Sequence, residues 1–324
     1  MTVKTEKPLS SRPGGEKKEN PFKEFCRRFF RNKQAVIGLV IFVLLVFIAV
    51  FADVLVDYDN QVIKQDIVNK RQPPSSEHLM GTDDYGRDIL ARVIYGTRIS
   101  LTIGLTTVAC AMAAGIVIGA VSGYFGGRLD NVIMRVMDVF MSIPSMLLAI
   151  AVVASLGPGI VNIMIAVGLA LVPGYSRVVR SAVLSVRNKE FVQAAKAVGD
   201  SHFSIILHHI IPNALAPVIV QATLGVGEVI ITAAGLSFLG LGIAPPMPEW
   251  GAMLSEGREF IRYMPHLVLF PGLSIMITVL ALNLLGDGLR DALDPLRESP
   301  FFHVPCPGRR SRGGRTALEK RKQL

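Results

Sequence analysis

The feature that most constrains this chain is its long stretches without a formal charge. Gln34–Ala52, Ile99–Gly127 and the whole interval between Asp138 and Arg177 contain no Asp, Glu, Lys or Arg. A helix needs about 20 mostly apolar residues to cross the hydrocarbon core of a bilayer. Inside that core each backbone amide and carbonyl must find its partner within the protein, which leaves the helix as the natural solution. The composition agrees: 51% of the residues are hydrophobic, 18% are charged and the mean hydropathy is +0.46. Soluble domains carry about 25% charged residues. An ordinary cytosolic enzyme and a disordered chain are both poor fits.

Six spans are predicted. The first is Gln34–Ala52 and the second Ile99–Gly127. Spans three and four share the interval after Asp138 and are separated by a tight turn at Gly157-Pro158-Gly159. Span five runs from about Ala214 to Gly240, interrupted by Glu228, and span six from about His266 to Gly286. The net charge of +9 suggests nucleic acid in a soluble protein, but here it reports orientation. With the N-terminus inside, 26 of the 34 Lys and Arg fall in cytoplasmic segments, and acids outnumber bases in both outer loops. Both termini are therefore expected in the cytoplasm. Cys26, Cys110 and Cys306 are scattered and indicate neither a disulfide framework nor a metal site. The first apolar run follows a tail of more than 30 residues, is longer than a signal-peptide core and is expected to be retained rather than cleaved. Residues 1–20 read as a disordered tail, and 21–33 as a helix lying in the membrane interface, with Phe22, Phe25, Cys26, Phe29 and Phe30 on one face.

The loops carry the chemistry. Between spans four and five, the sequence predicts a short helix from about Lys189, a break at Gly199 and a second helix ended by Pro212. Small residues at Ala194, Ala195 and Gly199 let another surface approach the backbone. The segment is too polar to cross the membrane and too apolar for a free linker, so it reads as a docking element.

Gln193-Ala194-Ala195, Gly199 and Ile211-Pro212 have the spacing of the EAA motif, and the loop resembles that of permease subunits of binding-protein-dependent ABC importers. Gln193 replaces the usual Glu, an acid stands at Glu190, and His209 takes an Ile position; these departures resemble the peptide and nickel branch. Gly81-Thr-Asp-Asp-Tyr-Gly-Arg-Asp88, Leu236-Ser-Phe-Leu-Gly-Leu-Gly242 with Glu249-Trp-Gly251, and Asn283 through Pro295 are similar to the second, C-type permease of dipeptide and oligopeptide importers. The resemblance covers about residues 25–296. It implies an all-α membrane protein of the type I ABC importer permease fold, multi-pass in the cell inner membrane. The implied organisation is an interfacial helix and first span (21–56), an extracytoplasmic segment (57–98), a five-span core (99–290) with an ATPase-docking loop at 187–212, and a cytoplasmic tail (291–324). The implied partners are a homologous permease in a heterodimer, two ABC ATPase subunits that bind the ATP, an extracytoplasmic solute-binding protein and the lipid bilayer. No nucleic acid and no cofactor of its own are implied. Peptides lead as substrates, with nickel or another small solute as the alternative. The basic tail after Pro295 does not fit the resemblance and receives no function.

Glu228 is the ionisable residue deepest in a predicted span and is a candidate for lining the pathway. Asp83, Arg87 and Asp88 are candidates for docking the binding protein, set among local ion pairs with Arg92, Arg98 and His78 close by. His202, His208 and His209 belong to the docking loop and are read as facing the ATPase rather than a metal. Gly104, Gly115, Gly119, Pro144, Gly168, Pro173 and Gly174 are read as sites of close helix packing or hinges. The sequence contains no G-x-x-x-x-G-K-[ST], G-x-S-x-G or H-E-x-x-H, so neither a phosphate-cradling loop nor a hydrolase centre is present. An ion-driven secondary transporter is the rival of another class; it leaves the docking loop unexplained.

This topology places Asn60 and Trp250 outside, and Asn188 and Ser299 in the cytoplasm. Single-cysteine labelling with an impermeant reagent in a Cys-free background checks it. Labelling of position 188 from outside would sink the six-span arrangement.

Overall fold

Asn32 separates the first two helices. Its side-chain oxygen accepts from the amides of Gln34 at 3.1 Å and Ala35 at 3.4 Å, which ends α1 (Pro21–Arg31) and starts α2 (Lys33–Val50). The structure, a computed structural model, describes residues 21–293. The expectations for the tail 1–20 and for 294–324, Ser299 included, lie outside the described residues.

Asp88 caps the next helix by accepting from the Ala91 amide at 2.9 Å, and α3 (Ile89–Phe125) runs on for 37 residues. At 1.5 Å per residue that is about 55 Å, well beyond a hydrocarbon core of about 30 Å. It begins ten residues before the predicted span, and these added turns carry Arg92 and Arg98. The expected third span is broken instead. α4 (Gly127–Met141) and α5 (Ser145–Leu156) meet at 83° around Pro144, which has no amide to continue the ladder. The turn at Gly157–Gly159 falls where the sequence places it and leads into α6 (Ile160–Val186). Five helices are long and apolar enough to span a membrane, and the bent pair makes a sixth crossing if it counts as one.

After α6 come α7 (Glu190–Val198) and α8 (His202–Phe238). Here one expectation is corrected: Pro212 does not end a helix. The chain passes from a wide π turn at Ile205–Ile210 straight into the regular helix Ile211–Phe238, whose first turn holds Pro212. Proline cannot donate to the carbonyl four residues back; the Ile211 amide just before it already bonds five residues back, to Ile206. α9 (Trp250–Gly257) and α10 (His266–Leu293) complete the set. Among the described residues the β pairing is a single bridge, Thr82 with Asp88.

α3 and α6 run parallel and form the spine. Gly115, Gly119 and Gly123 recur one turn apart on α3. A Cβ there would fall 2.5 Å from Tyr175 Cβ, 2.5 Å from Ser176 O and 3.0 Å from Val183 Cβ respectively. The backbones touch because these positions lack side chains, as expected where no hydrophobic drive separates helix from lipid. α2 meets α10 in the same way, through Gly38 against Ala281 and Gly288 against Ala35. The core, built on Ile103, Val108, Val153, Ile163, Val229 and Leu236, lies between α3, α5, α6 and α8.

Trp250 is fully buried, so a label on that side is better read at Tyr263, which is 77% exposed. Replacing Gly119 by Val is expected to force α3 and α6 apart and abolish recovery of folded protein, whereas Gly174→Ala, with nothing within 4 Å of the new Cβ, is expected to leave it intact. Size-exclusion profiles of the detergent-solubilised protein check this pair; a normal profile for Gly119→Val would refute the role given to the glycine contact.

Candidate functional site

At one end of the bundle the 187–212 loop is folded against the ends of α3 and α6. Val192, Ile205 and Ile210 are fully buried in a cluster with Tyr124, Val183, Val186, Ala214 and Val218. The Tyr124 hydroxyl and His202 Nδ1 are 2.7 Å apart, and Lys196 Nζ lies 5.4 Å from the centre of the Tyr124 ring. His209 reaches Asp200 at 3.4 Å, and His208 reaches the Ser204 carbonyl at 3.2 Å. The three histidines thus serve separate local contacts. Gly199 adopts φ +92 and closes α7: its amide donates to Lys196 O and the Asp200 amide to Ala195 O, both at 3.1 Å. This is the left-handed helix ending that glycine makes readily.

The outward surface of this end is apolar and small. Val198 is 87% exposed and Phe203 74%, with Phe191 and Leu207 beside them. Glu190, Gln193, Ala194 and Gly199 are exposed, Ala195 and Ile211 half-buried, and Pro212 exposed. Behind this surface a polar brace ties α3, α4 and α6 together. Arg180 donates to both oxygens of Asp130 at 2.6 Å, Ser122 bonds the same carboxylate, and Arg187 donates to Gly123 O at 2.8 Å. An Arg fork on both carboxylate oxygens fixes orientation as well as distance.

At the other end residues 57–88 fold over the start of α3. Asp83 accepts from the Tyr85 and Arg87 amides at 2.9 Å and from Arg87 Nε at 2.6 Å. Arg87 also donates to Glu256 at 2.8 Å; Arg92 reaches Glu256 at 3.3 Å and the carbonyls of Val62 and Pro246. Both arginines are essentially inaccessible. Asp88 caps α3 with one oxygen and pairs with His78 at 2.8 Å through the other. Gly86, at φ +77, passes so close to Asp66 that a Cβ would lie 1.8 Å from its carbonyl oxygen. Asp83 and Arg87 are therefore too buried to meet another protein directly; they brace the segment. Next to them opens a cavity of about 490 Å³ lined by Asn60, Gln61, Lys64, Glu77, His78 and Asp88, among others.

Trp250 plugs this end. Its indole lies on Gly96 and donates to Val93 O at 3.1 Å. Glu249 starts α9 by accepting from the Gly251 and Ala252 amides at 2.8 Å. Burial pushes its carboxyl above the usual range, opposed by those two donors.

Glu228 sits on a face of α8 that the other described residues leave uncovered, in line with Gln221 and Thr232. Among the described residues it has no ion pair. The structure does not bring Glu228, the loop and the 57–88 segment together; they occupy the middle and the two ends of the bundle. The sequence reading missed Tyr124, Asp130, Arg180 and Glu256. Their partners lie 50 to 169 residues away along the chain, a separation at which spacing carries no signal.

Comparison with known proteins adds the following. Residues 115–299 match the family described as binding-protein-dependent transport system inner membrane component, and residues 20–74 match the N-terminal TM domain of oligopeptide transport permease C. The chain is 49% identical over 280 residues to the dipeptide transport system permease protein DppC of Alkalihalophilus pseudofirmus, covering 86% of this chain and 91% of the relative. It is 45% identical to the glutathione transport system permease protein GsiD of Pectobacterium atrosepticum, with 86% and 92% covered. It is 44% identical to the di/tripeptide permease DppC of Pseudomonas aeruginosa, with 85% and 92% covered. The solved inward-facing MetNI methionine ABC transporter superposes with a TM-score of 0.52 at 16% identity, over 63% of this chain and 97% of that one, a likeness of fold.

Removing one partner from a buried charge network strands the others. Arg92→Ala leaves Asp83 and Glu256 short of a cation and is expected to cost about 3 kcal/mol or more. Thermal unfolding of the purified protein measures it; an unchanged midpoint would show that the network does not hold the segment.

Proposed function

The chain belongs to the binding-protein-dependent transport system inner membrane components, and we propose that it forms one half of a peptide pathway driven through its 187–212 loop. It is a permease subunit of an ATP-driven importer in the inner membrane, a transport component rather than an enzyme. Such an importer works with ATPase subunits and a solute-binding protein. The relatives that match along most of the chain are named for dipeptides, di/tripeptides and glutathione, and short peptides are the substrate class we assign.

The finer assembly is our reading. Both termini and the 187–212 loop face the cytoplasm, on the strength of the Lys and Arg distribution. Phe191, Val198, Phe203 and Leu207, with the open backbone at Ala194 and Gly199, form the surface on which an ATPase docks. Glu190 and Gln193 are at its rim, and Ile211-Pro212 with the half-buried Ala195 carry the movement into span five. The observation that carries this reading is that the loop is not a flexible strap. It is bonded to α3 through Tyr124 and His202 and continues without interruption into α8. A push on the loop therefore moves a span. A homologous permease covers the exposed face of α8 and the apolar groove of about 340 Å³ between α3 and α6, giving a heterodimer with the pathway between the halves. Glu228 lines that pathway. On the outside, Asp83, Arg87 and Asp88 keep in shape the platform on which the loaded binding protein lands. By linkage, that docking and ATP binding favour the same conformation.

Gly199 separates docking from capping. A Cβ there meets nothing within 4 Å in this chain, and Asn tolerates the left-handed conformation. Gly199→Asn is expected to keep most uptake. Gly199→Asp places a second carboxylate beside Asp200 at a surface that loses water on docking, at a cost of about 1–3 kcal/mol or more. Uptake is expected to stop while the permease still inserts. Uptake assays with co-purification of the ATPases check both variants, and full uptake by the Asp variant would refute the docking role.

A further inference from the structure

Tyr175, near the middle of α6, is 2% exposed, yet its hydroxyl has no hydrogen-bond partner among the described residues. The hydroxyl is lodged in a notch on α8. A Cβ on Gly225 would lie 2.2 Å from the phenol oxygen, but 3.4 Å from the ring carbon that bears it and 3.7 Å from Val108. The glycine thus makes room for one oxygen atom. Glu228 follows one turn later on the same helix. The Thr232 hydroxyl bonds its backbone oxygen at 2.8 Å, and among the described residues its carboxylate has no hydrogen bond or ion pair. A carboxylate and a phenol at this depth, each lacking a partner, are costly unless they serve each other or a passing solute.

We propose that the Tyr175 hydroxyl donates to the Glu228 carboxylate and holds it toward the pathway as a step that favours cationic peptides. Glu228 has three side-chain torsions with which to reach the phenol, whereas Tyr175 is fixed by its packing against Gly115 and Gly225. The donor limits the rotamers open to the carboxylate and leaves its second oxygen for an ammonium group. Tyr175 is a positioning residue; Glu228 is the group that meets substrate. The inference rests on the proposal that this face of α8 borders the pathway.

The test uses the intact importer with its own binding protein and compares initial uptake of Ala-Lys, Ala-Gln and Ala-Glu. Because the binding protein is the same in every strain, its own preference cancels between variants. Glu228→Gln and Tyr175→Phe are each expected to lower the Ala-Lys to Ala-Glu ratio by about tenfold, the size of effect of one hydrogen bond to a charged group. The double variant is expected to fall no further, because the two residues act as one unit. Gly225→Ala alone drives a methyl group into the hydroxyl and is expected to reduce assembled permease. Combining it with Tyr175→Phe removes that clash, so assembly returns while the lowered ratio stays. If assembly returns and the ratio returns with it, the hydroxyl only fills space and the inference is overturned. If Glu228→Gln lowers the ratio and Tyr175→Phe does not, the pathway reading stands and the positioning role is refuted. If neither changes the ratio, Glu228 does not meet substrate and both fall.

Discussion

The parallel contact of α3 with α6 is what the rest of the molecule is hung on. In hydrocarbon a helix satisfies its own backbone and gains nothing by leaving lipid for an equally apolar neighbour, so association depends on contact area and fit. Glycines at 115, 119 and 123 bring the backbones together over three successive turns. Both ends of the bundle are attached to this pair. The 57–88 segment folds over the start of α3, and the 187–212 loop rests on the far ends of α3 and α6.

The charges are distributed accordingly. At the end covered by residues 57–88, Asp83, Arg87, Arg92 and Glu256 are paired and largely buried; at the opposite end Asp130 is held by Arg180 and Ser122. Arg98 closes span one by donating to the Ala49 and Val50 carbonyls and to Asp53. These networks tie segments together where the bilayer no longer confines them. Between the ends the polar groups are few, and Glu228 on its uncovered face has no ion pair among the described residues.

With an ATPase docked as proposed, this division gives a simple route for force. α7 is capped at Gly199, His202 at the start of α8 is bonded to Tyr124, and α8 runs on as one helix to Phe238. The π turn before Pro212 is the local irregularity in that rod, wide enough to accept the proline without interrupting the helix. The 83° break between α4 and α5 is the larger one, and it leaves α5 as a short element against α6.

The fold class was legible because hydrophobic runs of about 20 residues have few other uses. The turn at Gly157–Gly159 and the break at Gly199 were legible for similar reasons, since glycine and proline act on their own backbone. Pro144 was legible only as a packing site or a hinge, because a proline in an apolar run is compatible with a kink, a break or an intact helix; the structure makes it an 83° break. Pro212 was misread in the opposite sense, because the wide turn that accommodates it depends on Val192, Ile205 and Ile210 being buried together. The acidic and basic residues near position 85 were recognised as a cluster, but which of them stay accessible depends on Glu256 and Trp250, more than 160 residues away. Local backbone preference and hydrophobic length are properties of the sequence alone. Which carboxylate keeps a free oxygen, and which glycine makes room for a hydroxyl, is decided when distant segments compete for the same space.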